Sequence, residues 1–542
     1  MTLHRRDLTE IPADIAAVGQ RILPASDRYR VIGDHLADLL DDAQFTDLYE
    51  PTGRAALSPS LLALVTLFQF VEDLPDREAA AQVVVRVDWK SALHLPLDYA
   101  GFDYSCLCYF RQRLLAHAQE RLVFDTLLGK IQALGFIKKR GKHRTDSLAV
   151  LGAVRQLSAL ETVGETLRLA VRALLERAAA WTAQAVPASF QEQYLHLRPD
   201  YRLTTAEQAA LFLQVGQDGY WLLDRLAAAP AGVRDLAPLK VLQTVWTQRY
   251  ERADGPVRVR EHGAACTERI VTPPDPGVRA GEKRGKQWQG DKVHVTETAE
   301  PAGPTFLTDV TTAPAPSGDV TALPRIRAQL AAIDLLPAEQ YVDSGYISGT
   351  QLAQSQAAGI EVVLVGPPLE DTSPNQFKIA DFAIDRDACQ AICPAGHCAV
   401  KWSGRTDRDG SRAVTIPCAA APCATCPLRA QCPTSRSGRS LHLSEHDELL
   451  VARRAVARTD AFRARMRARP AIEATLSALV RGHGLRRHRY RGEAKRCFEH
   501  LLKGAACNLK RLVRALVARW TQAGAPALPA PRALPAGPAV GP

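Results

Sequence analysis

The sequence lacks a long apolar run. Its longest uncharged stretch extends from Ala55 to Val71 and contains Ser58, Thr66 and Gln69, which suits a buried helix better than a membrane span. The pattern of a secretory signal peptide is also missing: no basic start is followed by an apolar segment and a small-residue cleavage site. Instead, Met1-Thr2-Leu3-His4-Arg5-Arg6 leads directly to acidic residues. We therefore expect a soluble cytoplasmic protein that makes no contact with a membrane.

Three common enzyme motifs are missing as well. The chain has no phosphate-binding P-loop, no His-Glu-x-x-His zinc-protease helix and no Gly-x-Ser-x-Gly elbow. Nucleotide hydrolysis, zinc proteolysis and serine hydrolysis therefore have little support. No internal repeat is visible.

Size and charge indicate a multidomain protein with a polyanionic partner. With 542 residues and 59.0 kDa, the chain is long enough for two or three folded units. Its formal charge of +10 and pI near 9.0 favour nucleic acid, although an arginine-rich composition also fits genome bias.

The periodicity of apolar residues predicts an all-α region followed by a mixed α/β region. Residues 1–140 are helical in pattern, with Ser58 capping one helix and Asp76 opening the next. Strand-like segments are predicted at 142–150, 292–297, 305–311, up to Asp343, and 360–365, with helices at 320–335 and 349–357. Helical periodicity between residues 151 and 250 interrupts this order, and interleaved strands and helices imply a mixed sheet.

Three acidic residues are the candidate catalytic groups. Asp146 lies within a predicted strand, Asp343 ends another, and Glu473 lies in a helical segment. Two-metal phosphoryl transfer needs such hard oxygen ligands around the scissile phosphate. A single acidic residue is more often a solvated carboxylate or a helix cap. The sequence surrounding each acid is therefore needed to assign it a catalytic role.

The surrounding motifs resemble the insertion-sequence-1182 family of DDE transposases between about residues 36 and 520. They are Gly141-Lys142-His143-Arg144-Thr145-Asp146-Ser147, Leu160-Glu161-Thr162-Val163-Gly164-Glu165-Thr166-Leu167-Arg168, Trp288-Gln289-Gly290-Asp291-Lys292-Val293-His294-Val295-Thr296-Glu297, Val342-Asp343-Ser344-Gly345-Tyr346, Arg469 with Ile472 and Glu473, and Arg489-Tyr490-Arg491-Gly492-Glu493-Ala494-Lys495.

This resemblance implies an RNase H-like core in which Asp146, Asp343 and Glu473 bind two Mg²⁺ or Mn²⁺ ions. The expected organisation is a helical N-terminal domain at 1–140 and a catalytic domain at 141–520. The helical pattern of the first domain suits a helix-turn-helix-like binder of DNA ends, and small helical bundles with other functions are the alternative. The catalytic domain contains two insertions, a mostly helical one at 151–270 and a cysteine-rich one at 385–440. An Ala/Pro-rich tail at 521–542 is expected to be disordered.

Two positions depart from the pattern Y-x2-R-x3-E-x6-K of related transposases. Met466 replaces the tyrosine and Val480 the lysine, with Arg481 next to it, whereas Arg469 and Glu473 remain on one helical face. Pro470 indicates that the helix begins or bends between them.

A basic segment follows the glutamate. Residues 481–519 contain twelve Lys or Arg against two Glu, a density suited to phosphate contacts, although a solvated helical face is the alternative. The predicted DNA-binding residues are Arg469, Arg481, Arg486, Arg487, Arg489, Tyr490, Arg491 and Lys495.

Seven of the twelve cysteines lie between Cys389 and Cys432, and in a reducing compartment this clustering favours a metal over disulfides. The spacing predicts a structural zinc site, with free thiols as the alternative; neighbouring arginines would favour thiolates. The predicted ligands are Cys393, Cys423, Cys426 and Cys432, with Cys389, His397, Cys398 and Cys418 as competitors.

The function predicted is therefore transposition, in which double-stranded element ends and target DNA are the partners. Pairing of two ends makes a homodimer or higher oligomer, associated with a bacterial nucleoid, the expected form. Two alternatives stay open: a domesticated or inactive DNA-binding derivative, and a tyrosine recombinase that uses Tyr490, which would leave the aspartate motifs unexplained.

Overall fold

The N-terminal part of the chain is entirely helical among the residues that the structure describes. The computed structural model describes residues 2–3, 11–153, 156–197, 202–252, 255–261, 268–283, 285–365, 376–399, 401–406, 412–432 and 438–522. Seven helices and a 3-10 helix, Asp42–Leu48, come first; the helices are α1 (Ala13–Ile22), α2 (Arg28–Leu36), α3 (Pro59–Glu72), α4 (Asp76–Val85), α5 (Val87–Ala92), α6 (Ser105–Ala116) and α7 (Leu122–Ala133).

Helix α3 begins as its sequence predicts. The Ser58 hydroxyl accepts a hydrogen bond from the Leu61 amide at 3.2 Å, and Pro59 occupies the first turn, where its missing N–H has no cost. Residues Pro59 to Val71 are all buried, which explains the uncharged run. Among the described helices, none combines the length and apolar character of a membrane span.

A group of helices separates the first strand from the rest of the sheet. Strand β1 (Lys142–Leu151) precedes α8 (Ala159–Arg177), α9 (Ala179–Ala185), α10 (Ala188–His196), α11 (Thr205–Ala227), α12 (Ala231–Arg234) and α13 (Ala237–Arg249). These helices bury an apolar cluster of their own around Trp246, whose indole N–H donates to the Gly216 carbonyl at 2.9 Å. The helical periodicity predicted for residues 151–250 is therefore present.

The central sheet is formed by strands from both sides of these helices. After a short antiparallel pair, β2 (Tyr250–Glu251) and β3 (Arg258–Val259), the chain forms β4 (Arg279–Lys283), β5 (Lys286–Thr298), β6 (Leu307–Pro314), α14 (Asp319–Ala332), β7 (Glu339–Asp343), α15 (Gly349–Ala357) and β8 (Glu361–Val365). The order is β6-β5-β1-β7-β8, and β4 pairs with the first residues of β5.

Strand directions complete the topology. Strand β5 runs antiparallel to both β1 and β6, whereas β7 is parallel to β1 and β8 is parallel to β7. This order and these directions are those of an RNase H-like core with helices on both faces. The predicted mixed α/β fold class is confirmed.

The structure explains why one motif position, Gly290, is a glycine. Its φ of 159° and its position against β1 leave no room for a side chain, because a Cβ would lie 1.9 Å from the Val150 carbonyl oxygen. The glycine thus allows β5 to pass close to the end of β1.

The C-terminal part contains small sheets and the longest described helix. Its elements are β9 (Ala383–Asp385), β10 (Gln390–Ile392), β11 (Cys398–Ala399), β12 (Ser403–Thr406), β13 (Arg412–Pro417), α16 (Ala420–Ala424), β14 (Ser440–Ser444), α17 (Asp447–Ala457), α18 (Asp460–Met466), α19 (Ile472–Gly482) and α20 (Glu493–Gln522). Helix α20 packs against β6, α3 and α7. It includes Thr521 and Gln522; the remainder of the tail predicted to be disordered lies outside the described residues.

Candidate functional site

Two of the three candidate acids lie on the same face of the central sheet. Residues of a strand alternate between faces, so Arg144 and Asp146 of β1 share one face. Arg144 is level with Tyr341 of the parallel strand β7, which places Tyr341 and Asp343 on that face too. Asp343 ends its strand and accepts a hydrogen bond from the Gly345 amide at 2.9 Å.

Arg469 contacts all three candidate acids. Its Nη2 atom lies 2.6 Å from Oδ2 of Asp146 and 3.9 Å from Oδ2 of Asp343. Its Nη1 atom lies 3.8 Å from Oε1 of Glu473. The Asp146 and Arg469 side chains are each 12% exposed, whereas that of Glu473 is 70% exposed. Folding therefore gathers three carboxylates, more than a hundred residues apart in sequence, around one guanidinium.

The charges of this cluster oppose one another. Burial raises the pKa of the Asp146 carboxyl, the Arg469 guanidinium lowers it, and the nearby Asp343 carboxylate raises it again. The Ser147 amide and the more distant Lys283 ammonium also favour the ionised form of Asp146. The site therefore has more negative charge than Arg469 alone neutralises.

The helix that carries Glu473 begins as Pro470 suggests. A 3-10 helix, Arg469–Ala471, leads directly into α19, so Pro470 lies in a first turn rather than inside a helix. Glu473 is in the first turn of α19, where the helix dipole favours a carboxylate. Arg469 and Glu473 therefore lie one turn apart, and their side chains meet at 3.8 Å.

A buried ionic network fixes this helix to the sheet. Glu297 of β5 is fully buried; it accepts hydrogen bonds from Arg144 at 2.6 Å, Thr475 at 2.5 Å and Arg511 at 3.1 Å. Arg144 also donates to the carbonyl of Ala468, next to Arg469, at 2.9 Å. Strands β1 and β5 and helices α19 and α20 are thus connected at one carboxylate.

Sequence reasoning identified Arg144 and Glu297 only as parts of motifs. Two opposite charges in separate strands gave no signal, because their pairing depends on the strand register. In that register, Arg144 lies directly opposite Glu297.

Asp319 is a fourth acid near the same edge of the sheet. Its carboxylate lies 3.2 Å from the Lys292 ammonium, and it accepts a hydrogen bond from the Ser147 hydroxyl at 3.2 Å. A Cβ at Gly345 would lie 3.1 Å from Oδ1 of Asp343 and 3.3 Å from Oδ2 of Asp319, so both carboxylates approach this glycine. Sequence analysis missed Asp319, which opens α14 and resembles an ordinary first-turn acid.

Apart from Arg469, which lies among the acids, the predicted DNA-binding residues fall into two groups in the structure. Five are exposed in or beside the segment that joins α19 to α20; they are Arg481, Arg486, Arg487, Arg491 and Lys495. Arg489, by contrast, pairs with Asp73 and donates to the Leu74 carbonyl at 2.8 Å. The Tyr490 ring packs against Arg111 and the apolar core. Arg489 and Tyr490 therefore connect the C-terminal segment to the N-terminal helices, and a role for them in DNA binding stays a prediction.

Buried charges hold this joining segment in place. Arg496 of α20 donates to Asp275 and Asp291, each at 2.6 Å, and all three side chains are almost completely buried. The Leu151 amide donates to the Arg486 carbonyl at 3.0 Å, and the His488 amide donates to Leu151 at 2.9 Å, so the segment pairs with the end of β1. The exposed arginines are consequently presented from a rigid backbone.

Comparison with known families supplies the class of enzyme. The family model described as "Transposase DDE domain" matches residues 392–513, and that described as "Transposase domain (DUF772)" matches residues 18–113. The chain is a DDE transposase. No curated protein and no solved structure gives a match. The first match includes Glu473 and Arg469, and the second extends from the second half of α1 to most of α6.

Divalent ions are the general cofactors of DDE transposases, and the donor set of this transposase suits them. Asp146, Asp343 and Glu473 offer hard carboxylate oxygens, and a cationic group, the guanidinium of Arg469, already lies among them. Within the described part of the chain, no three His, Cys, Asp or Glu side chains are yet close enough together to hold an ion. The acids thus fit the cofactor in chemistry, with Arg469 at their centre.

The cysteines of the transposase surround a small cavity between its C-terminal sheets. The cavity, about 50 Å³, is lined by all four predicted zinc ligands and by three competitors; they are Cys393, Cys423, Cys426, Cys432, His397, Cys398 and Cys418. The expectation that arginines favour thiolates is not met at two thiols. Burial outweighs Arg439, raising the pKa of Cys432 and, to about 11, that of Cys418. Zinc binding here stays a prediction.

Acid is expected to destabilise the transposase through its buried histidines. Burial lowers the pKa of His143, His294 and His483 from 6.5 to about 4. The unfolded chain therefore takes up protons below pH 6.5 that the folded chain refuses, so stability falls between pH 6.5 and 4, by about 3 kcal/mol for each histidine. Urea unfolding at pH 7, 6 and 5 measures this loss.

Two single variants control the experiment. His143→Gln removes one buried imidazole and should flatten the pH dependence, whereas replacing the exposed His196 by glutamine should leave it unchanged. Equal profiles for both variants would contradict the explanation.

Proposed function

We propose that this DDE transposase belongs to the insertion-sequence-1182 family and moves its element by cutting the element ends and joining them to target DNA. The observation that supports this most is the meeting of Asp146, Asp343 and Glu473 at Arg469. Three carboxylates gathered in this way form the kind of ligand set that binds the metal ions of phosphodiester chemistry.

In this proposal the three acids hold two Mg²⁺ or Mn²⁺ ions. Such ions, when bound, activate the attacking hydroxyl and stabilise the leaving oxygen. Arg469 occupies the space among the acids, so its side chain must leave Asp146 before an ion can bind there. The released guanidinium then becomes available to a DNA phosphate, which its planar donors suit.

The reaction has two in-line displacements. Water attacks the phosphorus at the element end, a P–O bond forms as the P–O bond to the 3′-oxygen breaks, and that oxygen leaves as a free 3′-hydroxyl. The 3′-hydroxyl then attacks the phosphorus of a target phosphodiester. A new P–O bond forms as the P–O bond to the target's own 3′-oxygen breaks, and the proton lost by the attacking hydroxyl is balanced by the one that this leaving oxygen takes up. The acids position the reacting groups, while Glu297 and its partners keep Glu473 and Arg469 at the sheet.

The same proposal assigns the parts of the chain. Residues 1–140 bind element ends, residues 141–520 carry the catalytic core, and residues 151–270 and 385–440 are insertions in that core. The four predicted cysteines, Cys393, Cys423, Cys426 and Cys432, hold a structural zinc ion. Two copies of the chain, or more, pair the element ends at the nucleoid.

Cleavage and joining of labelled DNA test the function directly. The substrate carries the ends that flank the gene, and purified protein is assayed with Mg²⁺, with Mn²⁺ and with EDTA. We expect nicks that leave 3′-hydroxyls, joined products, no covalent protein–DNA adduct, and no products with EDTA.

Two other results would refute the proposal. A covalent adduct lost in Tyr490→Phe would identify a tyrosine recombinase. Folded protein that binds the ends without cutting them would identify an inactive or domesticated derivative.

A further inference from the structure

The C-terminal half of α20 forms a second basic surface, separate from the arginines of the segment before it. Two clefts flank the helix there, with volumes of about 610 and 960 Å³. The smaller lies against α2 and α5, the larger against the segment after α7 and the β5–β6 connection. Arg514 lines both clefts, so it lies between them on the helix.

The smaller cleft contains more cations than its acids neutralise. Two of its three acids, Glu72 and Asp88, pair with Arg86, and the third caps α2 by accepting hydrogen bonds from backbone amides. In the described part of the chain, no carboxylate forms an ion pair with Arg28, Lys510 or Arg514. The lining thus has four cations against three carboxylates, an excess of one positive charge, and Arg28, Lys510 and Arg514 are the cations outside the ion pairs of Arg86.

The pKa of Lys510 shows that these cations interact. Burial lowers this pKa, and the positive charges of Arg28 and Arg514 lower it further, whereas Cys507 and the Glu72 carboxylate act in the opposite direction. Like charges held together at a partly buried surface repel one another unless an anion lies between them. A bound polyanion would remove that repulsion.

The larger cleft continues the same charge. It is lined by four cations, Lys138, Arg511, Arg514 and Arg519, against one acid, Glu300; Arg511 is already paired with the buried Glu297, which leaves three cations for a ligand. Arg519 is fixed in position, because its guanidinium stacks on Phe136 at 3.8 Å and donates to the Leu134 carbonyl at 3.1 Å. Glu300 is engaged by the backbone amide of Lys142 at 2.9 Å. Arg519 is therefore preorganised at this surface.

This surface is connected to the carboxylate site through α19. Lys510 donates to the carbonyl of Gly482, the last residue of α19, at 3.4 Å. Glu473 lies in the first turn of the same helix, about 14 Å away at a rise of 1.5 Å per residue. A duplex held at α20 therefore lies within a few base pairs of the acids.

We propose that the α20 surface, defined as Arg28, Lys138, Lys510, Arg514 and Arg519, binds the sugar-phosphate backbone of double-stranded DNA next to the carboxylate site. The proposal rests on the proposed function and adds the location of the duplex. Contacts of this kind position DNA without reading its sequence. Arg28 belongs to the helical N-terminal part and Lys510 to α20, so both parts share the duplex.

The test compares the salt dependence of DNA affinity. In the variant Arg28→Gln/Lys510→Gln/Arg514→Gln, the slope of log affinity against log salt should fall by about 2.7, or about 0.9 for each lost phosphate contact. The matched control carries three exposed arginines of the inserted helices as glutamines, Arg172, Arg177 and Arg234, and should keep the wild-type slope. The charge-preserving variant Arg28→Lys/Lys510→Arg/Arg514→Lys should keep it too, which separates charge from folding.

The outcomes distinguish the two proposals. An unchanged slope in the glutamine variant, with duplex binding intact, would overturn the α20 surface and leave the transposase proposal standing. Equal losses in the glutamine and charge-preserving variants would also overturn it. Wild-type protein that binds no duplex would overturn the proposed function and, with it, this surface.

Discussion

Asp343→Asn is expected to lower the rate of strand cleavage about 100-fold or more and to leave duplex affinity unchanged. Asparagine keeps the size of the side chain and an oxygen that can accept from the Gly345 amide, so the turn after β7 is preserved. It loses the charge that faces Arg469 and, in the proposed reaction, the cofactor. Loss of one preorganised electrostatic group of this kind costs roughly 100- to 1,000-fold in rate.

A neighbouring acid provides the control for this experiment. Asp319 lies at the same edge of the sheet, but it is already paired with Lys292. Asp319→Asn should therefore change cleavage much less than Asp343→Asn. The Asp146→Asn/Asp343→Asn double variant should be about as inactive as either single variant, because groups that act as a unit are not additive. Equal losses at Asp319 and Asp343 would move the catalytic assignment towards Asp319.

Glu297→Ala is expected to reduce the free energy of unfolding by about 3 to 5 kcal/mol. The substitution leaves Arg144 buried without its anion, a situation that costs several kcal/mol. It also removes the acceptor shared by Thr475 and Arg511, so α19 loses its connection to β5. Chemical unfolding followed by circular dichroism measures the change.

Two comparisons sharpen this prediction. Glu176→Ala removes an exposed carboxylate that pairs with Arg172, and should cost no more than about 1 kcal/mol. Glu297→Gln keeps an oxygen acceptor and should fold better than Glu297→Ala, yet cleave more slowly than wild type because α19 is held less firmly. If Glu297→Ala and Glu176→Ala proved equally stable, the network would have no structural importance.

The sequence predicted the elements that carry the site better than the contacts within it. Strands ending at Leu151 and Asp343 have strong local patterns, and the predicted position of Pro470 at a helix start is confirmed. The pairing of Arg469 with Asp146 has no such pattern, since it joins positions 323 residues apart through a sheet register and a helix packing. Long-range ion pairs depend on the assembled fold, which local periodicity does not contain.

The basic segment shows the same limit. Its arginines are equivalent in the sequence, but Arg489 pairs with Asp73 whereas Arg486 and Arg487 are exposed. The sequence showed a high charge density; only the packing of the segment against the N-terminal helices distinguishes structural arginines from available ones. Met466, which replaces the tyrosine of related transposases, is a further example: its side chain packs against the buried cluster around Phe462, a contact that the sequence pattern does not show.

The position of Arg511 determines when during synthesis the site can form. Glu297 needs this residue, and the Leu307 backbone is held on both its amide and its carbonyl by Asn508 of the same helix, at 2.8 and 2.7 Å. The ribosome must therefore finish α20 before β5, β6 and α19 reach their final arrangement. Contacts that span so much of the chain make folding slow, and a nascent protein that stops before residue 511 carries all three acids but lacks the frame that holds them together.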